Sequence, residues 1–378
     1  MLTLNEDQTL LQDAARGFVT DRAPVAALRK LRDDHSPEGF DRTLWAAMAE
    51  MGWTGMLVPE DQGGLAFGFV GAGIVCEEMG RTLAASPFIS TAVIAATAIA
   101  RAGTDAQKER WLPAIVAGKA IIATAVDEGR RHNPAGTALV AKASGNGFEL
   151  SGAKTFVADG VGADAMIVAA RSAGAPGETA GVTLFLVDAK ARGVETERTM
   201  TLDSRNTARV TFDRVAVTGA EVLGEVDDGF GLLDIVLGAG RAGLSAELSG
   251  IAQESFGRTV AYLKERKQFG KIIGTFQALQ HRAATLHCEV ELTKSAVLGA
   301  LQALDRDPAT ASLAVSVAKA KASQTARLAG LEAVQMHGGI GMTDAIDIGL
   351  FVKRMQAAGE LYGDADFHAD RVATARGF

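Results

Sequence analysis

The stretch Tyr262-Leu263-Lys264-Glu265-Arg266-Lys267-Gln268-Phe269-Gly270, followed by Phe276-Gln277 and Gln280, decides how this chain is read. The spacing predicts a long helix that ends in basic residues, turns at Gly270 and restarts near Phe276-Gln277. An arginine at such an end can grip phosphate oxygens through two nitrogens at once. Basic residues in a last helical turn also answer the helix dipole from a solvated face. A second stretch, Gln335-Met336-His337-Gly338-Gly339-Ile340-Gly341-Met342-Thr343, closes a helix with paired glycines. Such a turn is a plain helix stop, or a place where the backbone lets another group come close.

Outward from these stretches the period is helical from about residue 229 to the end. Leu244, Leu248, Ile251, Ser255, Val260 and Leu263 share one face, and Leu279, Leu286, Val290, Val297, Leu301 and Leu304 share another. Asp307-Pro308 reads as the N-cap and first residue of a third helix. Long helices with short connections predict a bundle. Upstream the period changes. Ile121–Val126, Phe148–Phe156, Met166–Ala170, Val182–Val187 and Ala208–Val217 read as strands, with a hairpin turn at Ser144-Gly145-Asn146-Gly147. No helix interrupts them, which predicts an antiparallel barrel or sandwich rather than a βαβ sheet. Residues before about 118 return to helical spacing, as in Leu10, Leu11, Ala14, Ala15 and Phe18.

The expected fold is therefore mostly α with a central β domain. An N-terminal helical domain spans 1–118, a middle antiparallel β domain 119–228 and a C-terminal helical bundle 229–378. Composition agrees with a large folded enzyme: 378 residues exceed a single core, and 48% are apolar. A net charge of −7 without a basic run argues against nucleic acid. Cys76 and Cys288 stand outside any CxxC pair, which argues against zinc and disulfides and predicts two buried or half-buried thiols. No Rossmann fingerprint, P-loop or metal-spaced His/Glu set occurs. The N-terminus lacks the features of a signal peptide, and the apolar run Thr91–Ala100 is too short to span a bilayer. The expected compartment is the cytoplasm.

The two C-terminal stretches, in this order and separation, resemble the signature of the acyl-CoA dehydrogenase family. Val58-Pro59-Glu60 with Gly63-Gly64, Glu77-Glu78-Met79-Gly80-Arg81 and the order of helices, strands and bundle extend the resemblance over essentially the whole chain. It implies a C-terminal four-helix bundle, FAD, an acyl-CoA thioester substrate, an electron-transfer acceptor and a homo- or hetero-oligomer. It also implies that Arg266, Gln268, Phe269 and Gln277 hold the ADP arm of a flavin from a neighbouring chain. Gln335, Met336, His337, Gly338 and Gly339 match the arm's other contact. The family reaction removes an α-proton with a carboxylate and passes a β-hydride to the flavin.

Against that pattern, the two usual positions of the base read Gly363 and Gly240. Glycine cannot take a proton. Asp364 and Glu247 are the displaced candidates, with Glu360 behind them, and Arg241 matches an arginine that lines the substrate end of the bundle. On the flavin-ring side Phe156-Val157-Ala158 replaces a Trp-Ile-Thr-like segment, so Ala158 brings no hydroxyl. The loop that begins at Val126 and Asp127 and runs through Glu128-Gly129-Arg130-Arg131-His132-Asn133 has lost its usual glycine–serine part. His132 is expected at the surface. An intact ADP-arm half beside an altered ring-and-base half is similar to the small subunit of two-subunit acyl-CoA dehydrogenases of the pimeloyl-CoA or steroid side-chain types. Three functions stay open: a dehydrogenase subunit in a heteromer, a catalytically silent structural subunit, and a homomeric flavoenzyme using Asp364 or Glu247.

Overall fold

A computed structural model describes residues 3–378. The amphipathic runs near the N-terminus form α1 (Glu6–Arg22), α2 (Val25–Asp33), α3 (Arg42–Glu50), α4 (Phe69–Thr82), α5 (Ala96–Ala102) and α6 (Asp105–Val116). Helix α1 starts on a capping box in which Asn5 and Gln8 satisfy each other's backbone N–H. The apolar run before α5 winds as a π-helix over Phe88–Ala95.

Ten strands follow: β1 (Ile122–Ala125), β2 (Val140–Ser144), β3 (Gly147–Ala158), β4 (Ala165–Arg171), β5 (Val182–Asp188), β6 (Val194–Arg198), β7 (Thr207–Thr218), β8 (Val222–Leu223), β9 (Lys267–Gln268) and β10 (Lys271–Ile272). The first eight make one sheet in the order β6-β7-β3-β2-β4-β5-β8, with β1 on β4. Most pairs are antiparallel, and β2 and β3 meet in the expected hairpin with Gly145 at φ +57°. The antiparallel expectation holds for most of the sheet, with the exception that β1 pairs with β4 in parallel, and β2 does so at one residue pair. The segment 126–139 between β1 and β2 is long enough to let the chain return in the same direction, so no helix is needed for a parallel crossing. Every residue of β4 is buried, as its unbroken apolar run requires.

The remaining helices are α7 (Phe230–Glu265), α8 (Gln277–Arg306), α9 (Ser312–His337), α10 (Ile348–Glu360) and α11 (Ala365–Ala375). They form the expected C-terminal bundle. Helix α9 packs on α8, α10 and α11, and its Ala318, Ala322, Ala326, Ala329 and Ala333 are buried. Asp307-Pro308 does not start α9. Asp307 instead binds Ala309 N and closes a turn, and the helix begins four residues later at Ser312.

Two compact units emerge. One holds residues up to Lys30, Phe69–Ala84 and Arg241–Phe378; the other holds Leu31–Gly68 and Ala85–Gly240. Cys76 is buried as expected, whereas Cys288 is exposed because it lies on the open side of α8. Among the described residues, no helix is long and apolar enough to cross a membrane.

Candidate functional site

In the first unit the chain reverses between α10 and α11 through Tyr362 (φ +58°) and Gly363 (φ +108°). Two successive residues in the left-handed region mark a conformation held by its surroundings. Three buried basic groups hold it. Arg241, on α7, is 1% exposed and donates from Nε to the Tyr362 carbonyl at 3.1 Å. Lys319, on α9, is fully buried; its Nζ donates to the carbonyls of Gly359 at 2.7 Å and Gly363 at 2.9 Å. His368, on α11, places Nε2 3.2 Å from the Tyr362 carbonyl. Burial, then the neighbouring Arg241, pushes Lys319 down to about 7. Burial and the charges of Arg241 and Lys319 hold His368 down at about 2, so the imidazole is neutral.

Gly363, where the family resemblance puts the base, has no room for a side chain. A Cβ there would lie 2.5 Å from Cδ1 of Phe367 and 2.8 Å from Nε2 of His368. Both displaced candidates have structural partners. Asp364 caps α11 by accepting from Phe367 N at 2.7 Å. Glu247 is 5% exposed and accepts from Nη1 of buried Arg354 at 3.2 Å. Glu360 is exposed and bonds Gln356. Gly240 is a buried residue of α7.

The same unit carries the polar stretches read first. After α7, strands β9 and β10 form a short hairpin that presents Phe269 with φ +52° and 89% exposure. Its ring meets Phe276 edge-on at 6.1 Å. The side chains of Arg266, Gln268, Gln277 and Gln335 are exposed and make no hydrogen bond or ion pair among the described residues. Beyond α9, Gly338 adopts φ +67°, and a Cβ on Gly338 or Gly339 would meet nothing within 4 Å. Met336 and His337 turn inward at 4% and 8% exposure, so they leave only backbone to a ligand. His337 stacks on Tyr262 with ring centroids 4.4 Å apart.

The second unit contains the altered loop, organised by two carboxylates. Both oxygens of Asp127 reach Nδ1 of His132, at 2.9 and 3.0 Å. Asp127 also accepts from Asn133 N. His132 therefore does not sit at the surface as expected: its side chain is 4% exposed. Glu128 accepts from Ala138 N, Leu139 N and Nζ of Lys154. Lys154 is fully buried and also donates to the Val126 carbonyl at 2.8 Å. Desolvation pushes its ammonium down, and Glu128 opposes that shift. Thr155 N binds the Asp127 carbonyl at 2.7 Å, which ties the loop to β3. There a register shift between Lys154 and Val157 turns Phe156 outward, with φ +52° and 46% exposure. Ala158 is buried beside it.

Sequence reasoning missed Lys319, Lys154 and His368. Lys319 had a usable signal, since it falls on the buried stripe Val315, Lys319, Ala322, Ala326 of α9. A lysine at a core position of a helix needs acceptors from elsewhere in the fold.

Models of the acyl-CoA dehydrogenase N-terminal, middle and C-terminal domains match residues 5–119, 121–215 and 227–376 in turn. The chain belongs to the acyl-CoA dehydrogenase family. A 3-(aryl)acrylate reductase of Clostridium sporogenes is similar at 31% identity over 343 residues, 89% of each chain. Among solved structures, a variant of the Tcur3481–Tcur3483 steroid ACAD superposes with a TM-score of 0.88 at 33% identity, covering 99% of both chains. The ChsE4–ChsE5 complex of Mycobacterium tuberculosis gives 0.89 at 25% identity, covering 100% of this chain and 98% of the other.

The residues present fit the ADP arm of the family's flavin. Gly339 lacks a Cβ in open space, so nothing within this chain requires a glycine there, while an outside group that approaches the backbone would. The Arg266 guanidinium is exposed and uncommitted, and a guanidinium matches the geometry of phosphate oxygens.

Proposed function

We propose that this chain is the subunit without a catalytic base in a heteromeric, FAD-dependent acyl-CoA dehydrogenase. The observation that carries the proposal is the closed position at Gly363, where Phe367 and His368 occupy the space of a side chain. Glu247 and Asp364 already serve Arg354 and the α11 cap, which weighs against a displaced base and a homomeric enzyme. The relatives named for steroid acyl-CoA dehydrogenation and for the ChsE4–ChsE5 complex lend support by likeness. The division at residues 118/119 and 228/229 belongs to the same reading.

In this reading the Arg266–Gln277 segment and the Gln335–Gly339 turn bind the ADP arm of FAD, whose ring accepts a hydride when bound beside an acyl-CoA thioester. Arg266 pairs with phosphate oxygens. Gln268, Gln277 and Gln335 offer amide donors and acceptors, and Phe269 supplies an apolar edge. Arg241 keeps the Tyr362–Gly363 turn in place and adds positive charge to the substrate end of the bundle. The α-proton goes to a carboxylate on the partner, and the electrons pass to a separate acceptor.

The test is the FAD content of the purified chain, alone and after co-expression with a base-bearing family member. The expected result is little retained FAD alone and a full site per pair in the complex, with acyl-CoA oxidation only in the complex. A chain that holds a full complement of FAD alone and turns over an acyl-CoA overturns the proposal. A complex that holds FAD only in sites made entirely by the partner identifies a silent structural subunit.

A further inference from the structure

The glycine turn at 338–342 is exposed at Gly338, Gly339, Ile340 and Met342 and buries Gly341 against Val334 and His337. A turn that binds through its backbone works only if its ends are fixed, because ordering it at the moment of binding costs affinity. Its upstream end is fixed by His337, which stacks on Tyr262, accepts from Tyr262 Oη at its carbonyl and bonds Ala333 O through Nδ1. Its downstream end is fixed by charge. Asp347 Oδ1 accepts from Arg29 Nε at 3.0 Å, and Oδ2 accepts from Arg258 Nη1 at 2.9 Å. Arg29 also reaches Asp344 at 2.9 Å, and Arg258 reaches Glu254 at 2.8 Å. Helices α2 and α7 thus close on one carboxylate between the turn and α10.

Asp347 immediately precedes α10, the position where an aspartate ordinarily caps a helix. Its side chain makes no cap bond. Both oxygens go to guanidiniums instead, so the residue is committed to holding the turn and not to starting the helix. We propose that Asp347, gripped by Arg29 and Arg258, is a positioning residue that pre-organises the 338–343 turn for the ADP arm of FAD. The inference rests on the proposed function, which places that arm here.

The experiment compares wild type with Asp347→Asn, Asp347→Glu, Arg266→Ala and Glu78→Gln. The last breaks the ion pair of buried Glu78 with half-exposed Arg16 between α1 and α4, outside the turn. FAD affinity of the deflavinated full chain, with its base-bearing partner where the chain alone does not retain FAD, is measured by titration well below the melting temperature. Amide hydrogen exchange over residues 338–347 is followed in the apo chain. Asp347→Asn is expected to weaken FAD roughly tenfold and to speed exchange in the turn. Asp347→Glu is expected to recover most of both, and Glu78→Gln to lower the melting temperature with FAD affinity unchanged. Unchanged exchange and unchanged affinity in Asp347→Asn overturn the inference, even if its melting temperature falls. Should Arg266→Ala also leave affinity unchanged, or wild type bind no FAD in any complex, the arm does not bind here and the proposed function fails first. If Arg266→Ala alone weakens FAD, the proposed function stands and only the clamp is rejected.

Discussion

His368 stays neutral because it is buried and cations surround it. Arg241, Lys319 and Arg371 all oppose a positive imidazole, and burial opposes it most. The ordinary histidine value is 6.5, and here it is lowered to about 2. Below the ordinary value the unfolded chain takes up a proton that the folded chain refuses, so stability falls as pH drops from 6.5. Lys319 acts in the same sense at higher pH. Its folded value of about 7 lies below its ordinary 10.5, so between those values the unfolded chain holds more protons and stability rises with pH. Urea unfolding across pH 5–7 is expected to show a smaller loss toward acid in His368→Gln than in wild type; equal slopes would reject the neutral assignment. Gly363 makes a second prediction at this scale. Gly363→Glu is expected to destabilise the chain by about 1–3 kcal/mol, from overpacking and a positive φ, and to give the chain alone no acyl-CoA oxidation. A stable, active variant would show that the turn can relax to accept a base.

Among elements, the close crossing of α4 and α7 depends on glycine in a way that sequence alone does not grade. A Cβ on Gly80 would strike the Glu247 carbonyl, and one on Gly250 would strike the Glu77 carbonyl. Gly257 lies two turns further along α7, with nothing within 4 Å of its missing Cβ. Gly250→Ala is therefore expected to cost about 1–3 kcal/mol, as overpacking does. Gly257→Ala is expected to add up to about 1 kcal/mol through helix propensity. Denaturant midpoints with unchanged slopes check both, and a neutral Gly250→Ala would mean that the helices can separate freely. The same scale shows where pattern reading stopped. The strands β3, β4, β5 and β7 were legible from runs of β-type residues. The parallel pairing of β1 with β4 was not, because alternation reports which residues face a core and not which neighbour a strand chooses. Asp307-Pro308 misled because an N-cap followed by proline also suits a tight turn.

For the molecule as a whole, the exposed apolar residues of the bundle raise the question of assembly. Leu292 on α8, Leu331 on α9, Met342 and Phe269 are all more than half exposed in the single chain. Large apolar side chains left in water mark surfaces that associate. Sedimentation is expected to give at least two chains of 39.2 kDa per particle, alone or with a base-bearing partner. A stable monomer in both preparations would contradict the oligomeric reading and, with it, an ADP arm bound from a neighbouring chain.

The sequence by itself determined the order of helices, strands and bundle, and the family, because periodicity and two short polar signatures are local properties that survive without coordinates. It also showed that Gly240 and Gly363 stand where a base is usual, since a missing carboxylate is visible in one letter. Only the tertiary structure decided what the remaining charges do. Glu247 and Asp364 look available in the sequence, yet Arg354 and the first turn of α11 claim them. His132 looks like a surface residue, yet Asp127 draws it in. Lys319 crosses from α9 to carbonyls forty and forty-four residues away. Whether a charged group is a base, a cap or a clamp depends on what lies within about 3 Å of it. That distance is set by packing between segments far apart in the chain, which no local pattern encodes.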